Sequence, residues 1–256
     1  MDGVIYVATG ADYVDLAVQS ARSVKVLNPD LDVDLFTDLP NVAGLEVFDQ
    51  IHPVPKTHPR VKLWCFEQSR FDRTLFLDSD TLALSPFGDL FLLADRFDLA
   101  MCHDVRRRSD LVREGTVPTP YAFPQLNSGV MLYRKSPVAL AFFQSWRERF
   151  DAIGAMRDQV PLKDILWDSD VRFYVLPPEF NLRRVTMLDA WEPLDAMPVV
   201  LHSHRLLQHL RGYDERIMDL ARLLELERAA LTEEWDDAGV MDDPADPISR
   251  YRQVKP

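Results

Sequence analysis

Short apolar runs alternate with helix-period segments through the first hundred residues, and few folds accept that alternation. Residues 4–8 (VIYVA) form an apolar run bounded by Gly3 and Gly10, the pattern of a buried strand. From Asp12 to Leu27 apolar residues recur at helical spacing (Val14, Ala17, Val18, Ala21, Val24), with Asp12 placed to cap the helix. Leu31, Val33 and Leu35 then alternate with acids, which predicts a second strand with Asp30, Asp32 and Asp34 on its wet face. Residues 47–52 read as a third strand, 60–69 as a helix and 74–77 as a strand. A helix is expected over 86–94, with Ser85 as cap and Pro86 in its first turn, then a strand over 99–102. Strands over 129–133, 171–176 and 199–201 and helices over 138–150 and 158–167 continue the series, and a long helical pattern covers 206–233. The expected class is α/β, a mixed but mainly parallel central sheet flanked by helices. Residues 1–205 read as the main domain and 206–256 as a helical extension and tail packed on it.

The stretch 104–124 breaks this rhythm with basic residues, Gly115 and prolines at 118, 120 and 124. A loop of that length in a compact domain is usually functional or mobile, so a lid is expected here.

Composition removes several classes of function. With 256 residues, 47% apolar, the chain can bury a sizeable core. A net charge of −12 and only short basic runs argue against nucleic acid as a partner. Cys65 and Cys102 each lie in an apolar segment with no CxxC, which favours reduced core thiols, a cytoplasmic setting and no thiolate zinc site. No apolar run reaches the length of a membrane span, about 18 residues, and no cleavable leader is visible.

The stretch 73–84, RTLFLDSDTLAL, places two like charges at the end of an apolar strand. Asp-x-Asp also occurs at 30/32, 32/34 and 168/170, where acids on a wet strand face or in a turn are ordinary. Only Asp78 and Asp80 follow an apolar strand at its carboxyl end, where open α/β sheets bind ligands. Residues i and i+2 of a strand point the same way, so the two carboxylates converge and repel unless a cation sits between them. A hard divalent ion, Mg²⁺ or Mn²⁺, takes oxygen ligands of this kind and bridges carboxylates to phosphate.

The segment 60–84 around this pair, RVKLWCFEQSRFDRTLFLDSDTLAL, resembles the donor-site segment of the retaining GT-A glycosyltransferases of family 8, the glycogenin and lipopolysaccharide galactosyltransferase group. Other stretches resemble the family's motifs in the family's order: VATGADY at 7–13, Phe36-Thr37-Asp38, Leu126-Asn127-Ser128-Gly129-Val130, Asp158-Gln159, LPPEFN at 176–181 and Val199-Val200-Leu201-His202. No single stretch is specific; their order over about residues 4–205 carries the resemblance.

The resemblance implies a GT-A, Rossmann-like nucleotide-diphospho-sugar transferase fold and a metal-dependent retaining transfer from a nucleotide sugar, UDP-linked, to a carbohydrate or glycoconjugate acceptor. It implies that Asp78, Asp80 and His202 hold the metal, with His204 as the alternative histidine, and that Ala8, Gly10, Tyr13 and Asp38 line the nucleoside pocket. Lys62, Ser79, Asn127 and Gly129 would contact the donor, and Asn127, Asp158 and Gln159 its sugar. Each has a plainer reading: Lys62 as a solvated helix lysine, Asn127-Ser128-Gly129 as a turn, Asp158 as a helix cap. A neutral amide is a poor nucleophile, so Gln159 fits front-face transfer better than the carboxylate double displacement of retaining glycosidases.

One departure stands out. The family follows its histidine with a glycine and a Lys-Pro-Trp segment that grips the diphosphate, whereas this chain has Arg205-Leu206-Leu207-Gln208-His209. That leaves open a nucleotide-sugar-binding protein without turnover. A sugar nucleotidylyltransferase would need a Gly-rich, basic loop after the first strand, which is not seen.

Overall fold

Val4, Tyr6 and Ala8 pack into one hydrophobic core while Ile5 between them packs into another. A strand whose two faces are both buried belongs in the middle of a sheet with layers on both sides. The computed structural model, which describes residues 1–55, 60–105, 115–123, 125–212, 216–239, 245, 246, 248 and 249, has that arrangement. Its elements are β1 (Asp2–Ala8), α1 (Ala11–Leu27), β2 (Asp32–Thr37), β3 (Gln50–Pro53), α2 (Lys62–Cys65), β4 (Arg73–Leu77) and β5 (Thr81–Ala83). They continue with β6 (Leu99–His103), β7 (Leu126–Arg134), α3 (Pro137–Ile153), α4 (Gln159–Asp168), β8 (Phe173–Leu176), β9 (Val200–His202) and α5 (Leu220–Asp237).

Seven strands form one sheet in the order β3-β2-β1-β4-β7-β6-β8. Every neighbouring pair is parallel except those of β7, which runs antiparallel to both β4 and β6. A separate two-stranded ladder joins β5 to β9 with Thr81 opposite His202.

The chain divides into two compact units. The first is Met1–Arg183 with Asp195–Ser203, and it contains both sheets. The second is Arg184–Leu194 with His204–Pro256, in which Arg228 pairs with Asp189 and Arg205 Nε lies 3.0 Å from Glu227.

Several local expectations are corrected. Asp34 is fully buried rather than wet: Arg70 Nε donates to its Oδ2 (2.8 Å) and Arg70 Nη2 to its Oδ1 (3.0 Å), so a charge from another segment lets the acid sit inside the sheet. Asp12 lies in the first turn of α1, whose N-cap is Gly10. Ser85 donates to the Pro198 carbonyl (2.7 Å) and caps nothing; the helical turns run 3₁₀-like from Gly88 to Asp95. The 60–69 helix is shorter, α2 followed by a 3₁₀ turn over Phe66–Gln68. The 206–233 pattern is two elements, 3₁₀ turns over His204–Arg211 and then α5, because Gly212 turns at φ 79° and Asp219 starts a new helix by accepting from the Arg222 N–H (2.8 Å).

Candidate active site

The site begins where β4 ends. The Asp78 N–H donates to the Gly129 carbonyl (2.8 Å), and the Thr81 hydroxyl donates back to the Asp78 carbonyl (2.7 Å). These bonds close a tight turn that carries Asp78, Ser79 and Asp80 off the sheet. The β5–β9 ladder brings His202 alongside, and the Ser203 N–H donates to the Asp80 carbonyl (3.1 Å). His202 Nε2 then lies 3.3 Å from Asp80 Oδ1 and 4.0 Å from Asp78 Oδ2.

One ligand atom from each of Asp78, Asp80 and His202 lies within 4.8 Å of the others. Ligands about 2.1 Å from a Mg²⁺-sized ion sit at most about 4.2 Å apart, so the donor set fits once the side chains close by somewhat more than half an ångström. Burial works against ionisation of Asp80, but the His202 ring, when it carries a proton on both nitrogens, and the Arg183 guanidinium outweigh it and hold that carboxyl below the usual carboxylate range. His204, the alternative histidine, falls in the second unit.

A chain of amides fixes which nitrogen of His202 is protonated. Asp104 Oδ2 accepts from Asn127 Nδ2 (2.9 Å), which turns Asn127 Oδ1 toward the Gly129 N–H (3.0 Å) and Asn181 Nδ2 (3.0 Å). Asn181 therefore presents Oδ1 to His202 Nδ1 at 3.0 Å, and Nδ1 must be the donor. Arg183 Nη1, which can only donate, sits 3.1 Å from Nε2. In the neutral ring Nε2 is thus the lone-pair nitrogen and faces the two aspartates, the orientation a metal ligand requires.

Lys62 is not a solvated lysine. Its Nζ lies 3.3 Å from Asp78 Oδ1, 3.3 Å from Asp158 Oδ2 and 3.2 Å from Ser128 Oγ. Burial would lower its pKa, but the Asp158 and Asp78 carboxylates outweigh that and raise it. Asp158 mirrors it: burial would raise the carboxyl, and Lys62 and Arg60 hold it down. Asp158 makes no cap bond; its side chain accepts from Ser128, while its carbonyl accepts from Trp146 Nε1 (2.7 Å), which locks α3 to the start of α4.

Gln159 Nε2 donates to Asp104 Oδ2 (2.6 Å) and to the Leu126 carbonyl (3.4 Å). Among the described residues nothing donates to its Oε1, the end of the amide left for a ligand. Asn127 is 4% exposed and has both ends of its amide engaged inside the protein, linking Asp104 to Asn181. Gly129 is where backbone and site approach most closely. A Cβ there would collide with His202 Cε1 and come within 2.7 Å of Nδ1 and 2.8 Å of Asp78 Oδ2.

At the ends of β1 and β2, Ala8 pairs with Thr37 and the Gly10 N–H donates to Asp38 Oδ1 (2.8 Å). Ala8 has its side chain in the core, which leaves its backbone for a ligand; Tyr13, in the first turn of α1, is half exposed. Ser79 is buried between the two aspartates. Residues 106–114 and 124 of the expected lid lie outside the described residues. Its part from 115 to 123 is anchored to α4: Asp164 Oδ2 accepts from the Thr116 N–H (2.7 Å), and Lys163 Nζ donates to the Val117 carbonyl (3.0 Å).

Three residues of the cluster were not singled out from sequence: Asp104, Asn181 and Arg183. Asp104 follows β6 directly, the same signal that marked Asp78 after β4. Asn181 lies within the LPPEFN stretch.

No protein-family model matches the sequence, and none of the curated proteins compared with it matches either. Solved structures do. The galactosyltransferase LgtC, in complex with donor and acceptor sugar analogues, superposes with a TM-score of 0.54 at 16% identity over 80% of this chain and 87% of that one. The glycosyltransferase GlyE of Streptococcus pneumoniae gives 0.56 at 15% identity over 93% of this chain and 65% of its own. Mouse xyloside xylosyltransferase 1 gives 0.51 at 15% over 80% and 98%. The chain has the GT-A fold. In GT-A terms, the antiparallel β7 sits between β4 and β6, and the acids following those two strands flank its Asn127–Gly129 segment.

Proposed function

We propose that this chain is a metal-dependent retaining glycosyltransferase that takes its sugar from a UDP-linked donor and passes it to a carbohydrate or glycoconjugate acceptor. The observation that carries the reading is the convergence of Asp78, Asp80 and His202 Nε2 beside the Asp104-oriented Gln159 amide. The three similar structures are all glycosyltransferases, and one further LgtC structure is of an active-site glutamine-to-glutamate variant.

Asp78, Asp80 and His202 would hold Mn²⁺ or Mg²⁺. Such an ion neutralises charge that develops on a departing diphosphate. Gln159 Oε1 would lie against the anomeric carbon, held there because Asp104 engages the other end of the amide. A neutral oxygen in that place can stabilise positive charge on the sugar ring without forming a lasting bond, which suits transfer on the same face. Asp158 and Ser128 hold Lys62 beside Asp78, where its ammonium adds positive charge on the phosphate side. Gly10, Asp38, Tyr13 and the Ala8 backbone would line the nucleoside pocket. Among the described residues no helix is long and apolar enough to cross a membrane, and the buried unpaired Cys65 and Cys102 support a reducing, cytoplasmic setting.

A binding protein without turnover is the second reading, favoured by the absence of Lys-Pro-Trp after His202. The deciding experiment is UDP release from a panel of UDP-sugars with Mn²⁺, with and without EDTA, for wild type and Asp80→Ala. Turnover of one sugar that EDTA and the substitution both abolish is the expected result. Metal-dependent UDP binding with no turnover on any acceptor would favour the binding protein, and neither binding nor turnover would refute both.

A further inference from the structure

The missing Lys-Pro-Trp segment leaves the donor diphosphate without its expected cation, and the structure offers one from another part of the chain. The Leu182 N–H donates to the Val200 carbonyl (2.8 Å) and the His202 N–H to the Leu182 carbonyl (3.2 Å). This short parallel bridge, Leu182 to Leu201, carries Arg183 to the metal-site end of β9. Its Nη1 reaches His202 Nε2 at 3.1 Å, while its Nε is buried with no hydrogen-bond partner.

That is unusual treatment for a part-buried arginine in this protein. Arg70, Arg73, Arg134 and Arg147 each pair with a carboxylate at 3 Å or closer. Among the described residues Arg183 has no carboxylate within ion-pair distance, although Asp80 feels its field. Lys62, the other cation here, is already shared between Asp78 and Asp158. A part-buried guanidinium with donors unused, next to a metal-ligating cluster, is arranged for an anion that is not part of the protein.

We propose that Arg183 grips the diphosphate of the donor and takes the place of the absent lysine. The inference rests on the nucleotide-sugar reading above. The planar fork of a guanidinium matches two phosphate oxygens. His202 Nε2 cannot serve Arg183 and a metal ion at once, so metal binding would free Nη1 as well and strengthen the grip.

Calorimetric titration of the full chain tests this with Mn²⁺ alone, and with UDP, inorganic diphosphate and uridine in the presence of Mn²⁺. Arg183→Gln is expected to weaken UDP and inorganic diphosphate about tenfold or more, the scale of a lost charge-assisted contact. Uridine and Mn²⁺ alone should bind as in wild type or tighter, and Arg183→Lys should recover part of the diphosphate affinity. UDP binding equal to wild type in Arg183→Gln would overturn the inference and leave the functional reading standing. An equal loss for Mn²⁺ alone would also overturn it, since the residue would then be shaping the metal site. Failure of wild type to bind UDP more tightly than uridine would overturn both.

Discussion

Asn181 Oδ1 lies 3.0 Å from Nδ1 of His202, and that bond makes Nδ1 the donor and leaves Nε2 as the nitrogen that faces Asp78 and Asp80. Outer partners of a ligating histidine are typically worth about 10–100-fold in metal affinity. Asn181→Ala is therefore expected to weaken Mn²⁺ binding within that range while leaving the melting temperature within a few degrees. Titration calorimetry reads the first, and ¹⁵N shifts of the ring report the tautomer directly. An unchanged affinity would mean that the amide relay does not control His202.

Gly129→Ala should abolish metal binding. The added methyl must displace His202 or Asp78, and the site has no slack on either side. Overpacking of this kind costs about 1–3 kcal/mol, a loss visible in urea unfolding without collapse of the fold. Retention of wild-type Mn²⁺ affinity in a folded Gly129→Ala protein would refute the close approach.

Lys62 and Asp158 give the protein a characteristic dependence on pH. Folding lowers the Asp158 pKa, so its contribution is complete above the unfolded value of about 3.9 and is lost as pH falls through the lower folded value. Folding raises the Lys62 pKa, so its contribution is complete below about pH 10.4 and is lost as pH climbs through the higher folded value. Between about pH 5 and 10 the pair is at full strength. Lys62→Met leaves Asp158 buried beside Ser128 with Arg60 at 3.6 Å as its remaining cation, and should cost about 3 kcal/mol at pH 7. Urea unfolding in EDTA from pH 3 to 8 should show a shallower acid limb in the variant. Parallel profiles would show that the pair does not drive the acid response.

Asp104→Asn separates orientation from binding. The carboxylate accepts from Asn127 and Gln159 on one oxygen; an amide in its place can set an N–H against one of those donors. Turnover should fall about 10–100-fold through misplacement of Gln159, with UDP affinity in Mn²⁺ changed far less. Steady-state kinetics beside UDP titration measures the two, and an equal fall in both would assign Asp104 to the nucleotide.

The central strands were legible because they are short apolar runs punctuated by glycine and acid, and Asp78 and Asp80 because acids rarely terminate such a run without purpose. Asp34 misled because alternation with acids reads as a wet face, yet the sheet is covered on both sides and Arg70 supplies the countercharge from elsewhere in the chain. Asp104 carried the same positional signal as Asp78, hidden by the irregular stretch that follows it. Asn181 and Arg183 owe their place to the Leu182–Leu201 bridge, a long-range pairing with no local trace. Lys62 reads equally well as a solvated helix lysine in the sequence because its two carboxylate partners come from a strand end and a helix start that only the fold brings together.

The β5–β9 ladder joins Thr81 to His202, positions from the first third of the chain and from its last quarter. A ribosome releases the aspartates long before it releases the histidine. A nascent or truncated chain ending before β9 carries the carboxylate half of the site and all seven strands of the main sheet but neither His202 nor a partner for β5. Such a chain cannot complete the cluster of Asp78, Asp80 and His202, whose assembly waits on the last strand.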